Sequence, residues 1–73
     1  MKISVSVDDD FMKQLETLFT EPREPEDLIR SALSLLRWAA EETSRKRVIL
    51  STDQEGRDVI RLALPILKGV RNQ

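Results

Sequence analysis

The chain has 73 residues, contains neither cysteine nor histidine, and carries a net charge of −1 from 12 basic and 13 acidic side chains. This composition excludes disulfides and thiolate metal sites, and it removes the commonest metal ligand and the usual general base at neutral pH. A domain of this size buries little apolar surface, so we expect a partner chain to supply the stability that disulfides and metals do not.

The first predicted element is a β-strand over residues 2–7, because polar and apolar side chains alternate there with a period of two. β-Branched residues occupy every apolar position, which favours a strand. One face would carry Ile3, Val5 and Val7, and the other would carry Lys2, Ser4 and Ser6.

A helix over about residues 9–19 follows. Asp8 or Asp9 is predicted to accept hydrogen bonds from the free amides of the first turn, where the helix dipole favours the remaining aspartates. A metal site is the alternative for these aspartates, but consecutive carboxylates fan out in different directions, and no oxygen-ligand loop follows them. The apolar stripe of this helix consists of Phe11, Leu15, Leu18 and Phe19.

A second, longer helix is predicted to follow the segment TEPREPED and to reach about residue 42. Pro22 ends the first helix or turns the chain, and Pro25 suits the first turn of the next, where a missing amide costs little. Leu35 and Trp38 widen the apolar face, so this helix needs cover on more than one side. Trp38 is either core beneath the C-terminal segment or an interface anchor. The other apolar positions are Leu28, Ile29, Ala32, Leu33, Leu36, Ala39 and Ala40.

The C-terminal segment predicts a β-hairpin in which residues 47–52 pair with residues 57–63. Asp53 and Gly56 are expected to form its turn, since glycine adopts positive φ without steric cost. Pro65 then ends the pairing, and a short apolar arm follows.

This tail is too apolar to remain in solvent, so we expect it to fold back on the second helix near Leu35 and Trp38. It is also basic, since residues 43–73 carry 7 basic and 3 acidic side chains, against 5 and 10 in residues 1–42. The asymmetry indicates electrostatic matching within a dimer, two surfaces with different partners, or simply solvated faces. The basic run at residues 45–47 either binds phosphate or complements the end of the second helix.

The lone N-terminal strand needs a partner, because an unpaired edge strand is a liability. The later hairpin could adopt it, or it could pair with its own copy in a second chain as an antiparallel ribbon. In that ribbon the apolar face would cover a four-helix core made by both chains, and the polar face would point outward. A two-stranded ribbon fits the DNA major groove, where polar side chains contact base edges.

Two segments carry a resemblance to a known family. KISVSVDDDFMKQLETL, residues 2–18, followed by EDLIRSALSLLRW, residues 26–38, resembles the ribbon-helix-helix proteins. That superfamily includes Arc-like, MetJ-like and CopG-like repressors and many antitoxins. The resemblance covers residues 1 to about 40.

The resemblance implies that the ribbon contacts bases and that the start of the second helix clamps a phosphate around residues 23–27, with Arg23 as the nearby cation. The family usually has glycine and a serine, threonine or asparagine before that helix, whereas this chain has EPREPED. Pro25 offers no amide to a phosphate, and the flanking carboxylates repel one. The base-contacting residues would be Lys2, Ser4 and Ser6.

The expected fold is α+β: a ribbon-helix-helix dimer with a swapped two-stranded ribbon, four helices and an added C-terminal β-hairpin. Residues 1–43 would form the dimerisation and DNA-binding unit, and residues 44–73 would pack on the same core. The expected dimer interface comprises Ile3, Val5, Val7, Leu28, Ile29 and Leu33.

The predicted function is a homodimeric, sequence-specific transcriptional repressor that binds double-stranded DNA. The alternatives are an antitoxin, which would bind a toxin protein through its C-terminal segment, and a dimerisation adaptor that has lost DNA binding. We expect no enzymatic activity, cofactor or metal, because the chain lacks nucleophile and phosphate-loop motifs and implies no buried carboxylate pair. No apolar run approaches the ~20 residues of a membrane span, so a cytoplasmic location is expected.

Overall fold

The computed structural model describes residues 1–71 and has two α-helices and one two-stranded antiparallel sheet, so the predicted α+β class is confirmed. A 3-10 helix near the C-terminus was not predicted. In chain order the elements are α1 (Asp9–Glu16), α2 (Pro25–Ser44), β1 (Leu50–Ser51), β2 (Ile60–Arg61) and the 3-10 helix (Pro65–Gly69).

The chain separates into two compact units, Met1–Ser31 and Ala32–Gln73. The first contains the N-terminal segment, α1 and the start of α2, and the second contains the rest of α2, the hairpin and the 3-10 helix. The division falls inside α2, whereas the boundary expected from the sequence follows residue 43, at the end of the same helix.

α1 begins with an aspartate cap. Asp8 Oδ1 accepts a hydrogen bond from the Asp10 backbone amide at 3.0 Å, which satisfies one of the donors that a helix start leaves unpaired. Asp9 and Asp10 occupy the first turn, where the helix dipole favours negative charge. The predicted cap is therefore confirmed, and of its two candidates it is Asp8.

The end of α1 differs from the prediction. The helix ends at Glu16 rather than at residue 19. The amides of Leu18 and Phe19 donate to carbonyl oxygens three residues back, each at 3.1 Å, instead of four residues back. Such bonds tighten the last turn and lead the chain out of the helix before it reaches Pro22.

α2 starts as predicted, with Pro25 as its first residue. The carbonyl oxygen of Glu24 accepts hydrogen bonds from the amides of Asp27 at 3.0 Å and Leu28 at 3.2 Å. The helix extends to Ser44, slightly beyond the predicted end at about residue 42.

α2 ends in a Schellman motif that forms without glycine. The amide of Lys46 donates to the Thr43 carbonyl oxygen at 2.9 Å, and the amide of Arg47 donates to that of Glu42 at 3.1 Å. Lys46 has a φ of 63°, in the left-handed region that glycine usually occupies here. Arg47 Nε also lies 3.3 Å from Glu42 Oε2. The basic run at residues 45–47 thus contributes to the helix end, which was one of its two predicted roles.

The C-terminal hairpin forms where it was predicted, but its regular ladder is shorter than the expected span of residues 47–52 with 57–63. The ladder continues one step beyond the strands, where the Leu62 amide donates to the Ile49 carbonyl oxygen at 2.8 Å. The strand register pairs Leu50 with Arg61 and Ser51 with Ile60.

The hairpin turn uses the predicted residues. Gly56 has a φ of 80° and donates its amide to the Asp53 carbonyl oxygen at 3.1 Å. Asp53 Oδ1 accepts from the amides of Glu55 at 3.0 Å and Arg57 at 2.7 Å. The side chain of Asp53 therefore stabilises the turn that its backbone begins.

A β-bulge explains the short ladder. A backbone hydrogen bond of 2.8 Å joins Asp53 to Arg57, whereas Ser51 pairs with Ile60. The second strand therefore holds one more residue than the first over this interval. Asp58 lies there with a φ of 56°, and an extra residue of this kind interrupts pairing and twists the strand.

Little of the described chain is buried: among its apolar side chains, only Leu28 and Ala39 are. The tail leaves Leu35 63% and Trp38 48% exposed, so within one chain it does not cover the side of α2 that it was predicted to cover. Neither helix of residues 1–71 combines the length and the hydropathy that a membrane span requires.

Candidate nucleic-acid interface

Residues 2–7 have no strand partner within the described part of the chain, because its sheet contains only β1 and β2. The predicted N-terminal strand therefore does not form within a single chain, since a β-ladder needs the hydrogen-bonding groups of a neighbour. Of the two partners predicted for this segment, the hairpin does not pair with it within the described residues.

The two faces of the N-terminal segment have different surroundings. Val5 and Val7 line a groove of about 360 Å³, together with side chains of α1 and the start of α2, including Met12 and Ile29. The alternation thus directs these valines towards helical side chains. The predicted DNA-contacting residues of the segment do not line the groove and are exposed; they are Lys2, Ser4 and Ser6.

The residues predicted for the dimer interface differ in burial. Leu28 is 8% exposed and is already buried within its own chain, while Val7 and Ile29 are half-buried. The other three residues are exposed in the single chain, and they would become buried only against a partner chain. They are Ile3 at 74% exposed, Val5 at 55% and Leu33 at 60%.

The predicted phosphate clamp at residues 23–27 has few amides to offer. Pro25 lacks one, and the amides of Asp27 and Leu28 already donate to the Glu24 carbonyl oxygen. An anion at a helix start is normally held by such amides. This end of α2 is therefore poorly equipped to hold a phosphate through its backbone.

The side chains around the start of α2 partly neutralise one another. Arg23 Nη2 lies 3.9 Å from Glu21 Oε2, and Arg30 lies 3.2 Å from Glu26 and 3.9 Å from Asp27. Exposed pairs of this kind contribute little stability. Arg23 is consequently able to leave Glu21 for a phosphate at small cost.

The three consecutive aspartates are accounted for by helix capping, through the bond between Asp8 and the Asp10 amide. No group of three or more acidic side chains within residues 1–71 is arranged to hold a metal ion.

A larger groove, which the sequence did not predict, lies in the C-terminal unit, and we call it the tail groove. It has a volume of about 530 Å³ and is lined by the end of α2, the hairpin and the 3-10 helix. Its apolar lining includes Ile49, Leu62, Leu64 and Leu67, and its charged lining residues are all basic: Arg47, Arg61 and Lys68. The apolar arm after Pro65 was a signal for it, but the 3-10 helix that helps to line the groove was not predicted.

Comparisons of the chain with protein-family models, with curated proteins and with solved structures find no match. The resemblance to ribbon-helix-helix proteins therefore rests on the two sequence segments.

Proposed function

We propose that the chain is a dimeric, sequence-specific DNA-binding regulator of the ribbon-helix-helix kind, in which residues 2–7 of two copies pair as an antiparallel ribbon. The observation that carries this proposal is the two-faced N-terminal segment, which has exposed polar side chains, groove-lining valines and no strand partner in its own chain. Pairing with a second copy would satisfy its backbone and remove its free edges.

The amount of exposed surface also supports a dimer. Several large apolar side chains are exposed in the single chain, and contact with a second copy would remove them from water. Exposed apolar side chains able to supply such an interface include Ile3, Phe11 and Leu33.

The polar face of the ribbon would make the base contacts. A lysine ammonium suits the acceptors of guanine in the major groove, and serine hydroxyls donate to or accept from several bases. The twofold axis would present each side chain twice. With Lys2 as the ribbon's only cation per chain, one dimer should bind weakly and with a shallow salt dependence, because the slope follows the number of neutralised phosphates. Useful affinity would then require several dimers on adjacent half-sites.

A dimerisation adaptor without DNA binding is the second candidate. The start of α2 favours it, because the amides of Asp27 and Leu28 are engaged and Pro25 has none. The antitoxin hypothesis rests on a C-terminal segment that becomes ordered on binding a toxin, whereas this tail contains a hairpin and a 3-10 helix.

The test is a fluorescence-anisotropy titration against the DNA upstream of the protein's own gene. Lys2→Ala should weaken binding by about 1–3 kcal/mol for each base pairing that the lysine makes. Ser4→Ala should change the sequence preference without lowering dimer stability. Arg37→Ala is the matched control, because it removes another exposed cation, on α2, and should bind as the wild type does. If Lys2→Ala and Ser4→Ala bind with wild-type affinity, the ribbon is not the DNA-contacting surface. If the wild type itself does not bind this DNA, the adaptor replaces the regulator.

A further inference from the structure

The tail groove is lined by apolar and basic residues. No acidic residue lines it, and neither Arg61 nor Lys68 forms an ion pair with any described residue. Arg47 already forms an ion pair with Glu42. An occupant that fits must therefore bring both apolar side chains and carboxylates.

The segment that links the two helices has this chemistry. Leu18, at 79% exposed, and the half-exposed Phe19 present apolar surface to water. Residues 18–27, the interhelical segment, also carry four carboxylates and one arginine. The carboxylate of Glu24 forms no ion pair within residues 1–71. Its charge is thus available to a cation on another molecule.

We propose that the tail groove of one copy docks the interhelical segment of another copy. Leu18 and Phe19 would enter the apolar part of the groove, and Glu24 would face Arg61. Charge complementarity of this kind favours one partner and one register over others. A nucleic-acid phosphate suits the groove less well, because its apolar lining offers no hydrogen bonds to an anion that leaves water.

The tail groove and the interhelical segment are different surfaces of the chain, so one copy can dock a second copy in its groove while its own segment docks in a third. Used in this head-to-tail way, the contact joins successive copies into a ring or an open filament. The inference goes beyond the proposed function, because the contact requires neither the ribbon nor DNA. Where dimers occupy successive half-sites, it would join neighbours.

The experiment is sedimentation velocity of the full chain without DNA, over a dilution series at low and high salt. We expect reversible assemblies larger than the dimer, and salt should weaken them because the basic side chains that line the groove are exposed. Arg61→Glu and Glu24→Lys should each weaken assembly by about tenfold or more, because each places like charges together. The double variant Arg61→Glu with Glu24→Lys restores an opposite pair and should recover assembly. Arg71→Glu is the control, as an exposed arginine of the tail outside the groove.

Circular dichroism should show that every variant keeps its helices, so that a loss of assembly reflects the docking of the segment. The proposal would be overturned if Arg61→Glu assembled as strongly as the wild type, or if the double variant did not recover assembly. A loss of DNA binding by Arg61→Glu with unchanged assembly would overturn it too, and would assign the groove to phosphate. If the smallest wild-type species is a folded monomer, the proposed dimer is wrong. Recovery of assembly by the double variant would still support docking in the groove in that case.

Discussion

Arg47 is bound twice to Glu42: its backbone amide donates to the Glu42 carbonyl oxygen at 3.1 Å, and its Nε lies 3.3 Å from the Glu42 carboxylate. Both contacts span Lys46, which is held at a φ of 63°. A side chain in that conformation is strained, because its Cβ approaches the following carbonyl oxygen. The end of α2 is therefore fixed by its hydrogen bonds in spite of the strained conformation of Lys46.

Lys46→Gly should stabilise the protein by about 1 kcal/mol, because glycine adopts the left-handed conformation without that strain. The measurement is the urea midpoint, at a fixed protein concentration. Lys46→Ala is the control, since alanine keeps the Cβ and should give no comparable gain. Equal midpoints for the glycine and alanine variants would contradict this explanation of the helix end.

Gly56→Ala should destabilise the hairpin by about 1 kcal/mol through its backbone alone. Gly56 has a φ of 80°, and an added Cβ would meet nothing within 4 Å, so crowding plays no part. Gly69→Ala is a matched control, because Gly69 has equally open surroundings without a positive φ. Thermal unfolding should show a lower midpoint for Gly56→Ala only. Equal decreases in the two midpoints would contradict the explanation that the positive φ of Gly56 is responsible.

Asp8→Ala should cost about 1 kcal/mol of stability, the usual effect of removing a helix cap. The carboxylate accepts from the Asp10 amide at 3.0 Å, and alanine offers no acceptor in its place. Asp8→Asn keeps an oxygen acceptor and should retain most of the stability. Denaturant unfolding distinguishes the two variants, and an alanine variant as stable as the wild type would show that the cap contributes nothing.

Val5→Lys should prevent the dimer from folding, because it would put one unpaired charge per chain against the helices, at a cost of several kcal/mol. Ser6→Lys introduces the same charge on the opposite, exposed face and should leave the dimer intact. Sedimentation and circular dichroism report both outcomes. The wild-type unfolding midpoint should also rise with protein concentration, as dimer formation requires. A folded Val5→Lys dimer would contradict the predicted orientation of the segment.

Local signals in the sequence predicted much of the fold. Asp8 as a cap, Pro25 in a first turn and Gly56 in a hairpin turn are each favoured by the chemistry of their own side chains. Such preferences act within a few residues and do not depend on the rest of the chain. For this reason both helix starts and the turn were predicted correctly.

The features that were missed depend on conformations that their residue types do not signal. Lys46 and Asp58 adopt positive φ, which lysine seldom does and aspartate does only occasionally. The first extends α2 into a Schellman motif, and the second creates the bulge that shortens the ladder. The tail groove was missed because it depends on a 3-10 helix after Pro65, where the sequence indicated only an apolar arm.

The most direct test of the ribbon is amide hydrogen exchange of residues 2–7 at high and low protein concentration. In an antiparallel pair, alternate amides bond to the neighbouring strand, so every second amide should be protected in the concentrated dimer. That protection should disappear on dilution, and it should be absent in Val5→Lys. Exchange of all these amides at the rate of an unstructured peptide, while α2 remains protected in the concentrated protein, would contradict the ribbon and the DNA-binding function proposed for it.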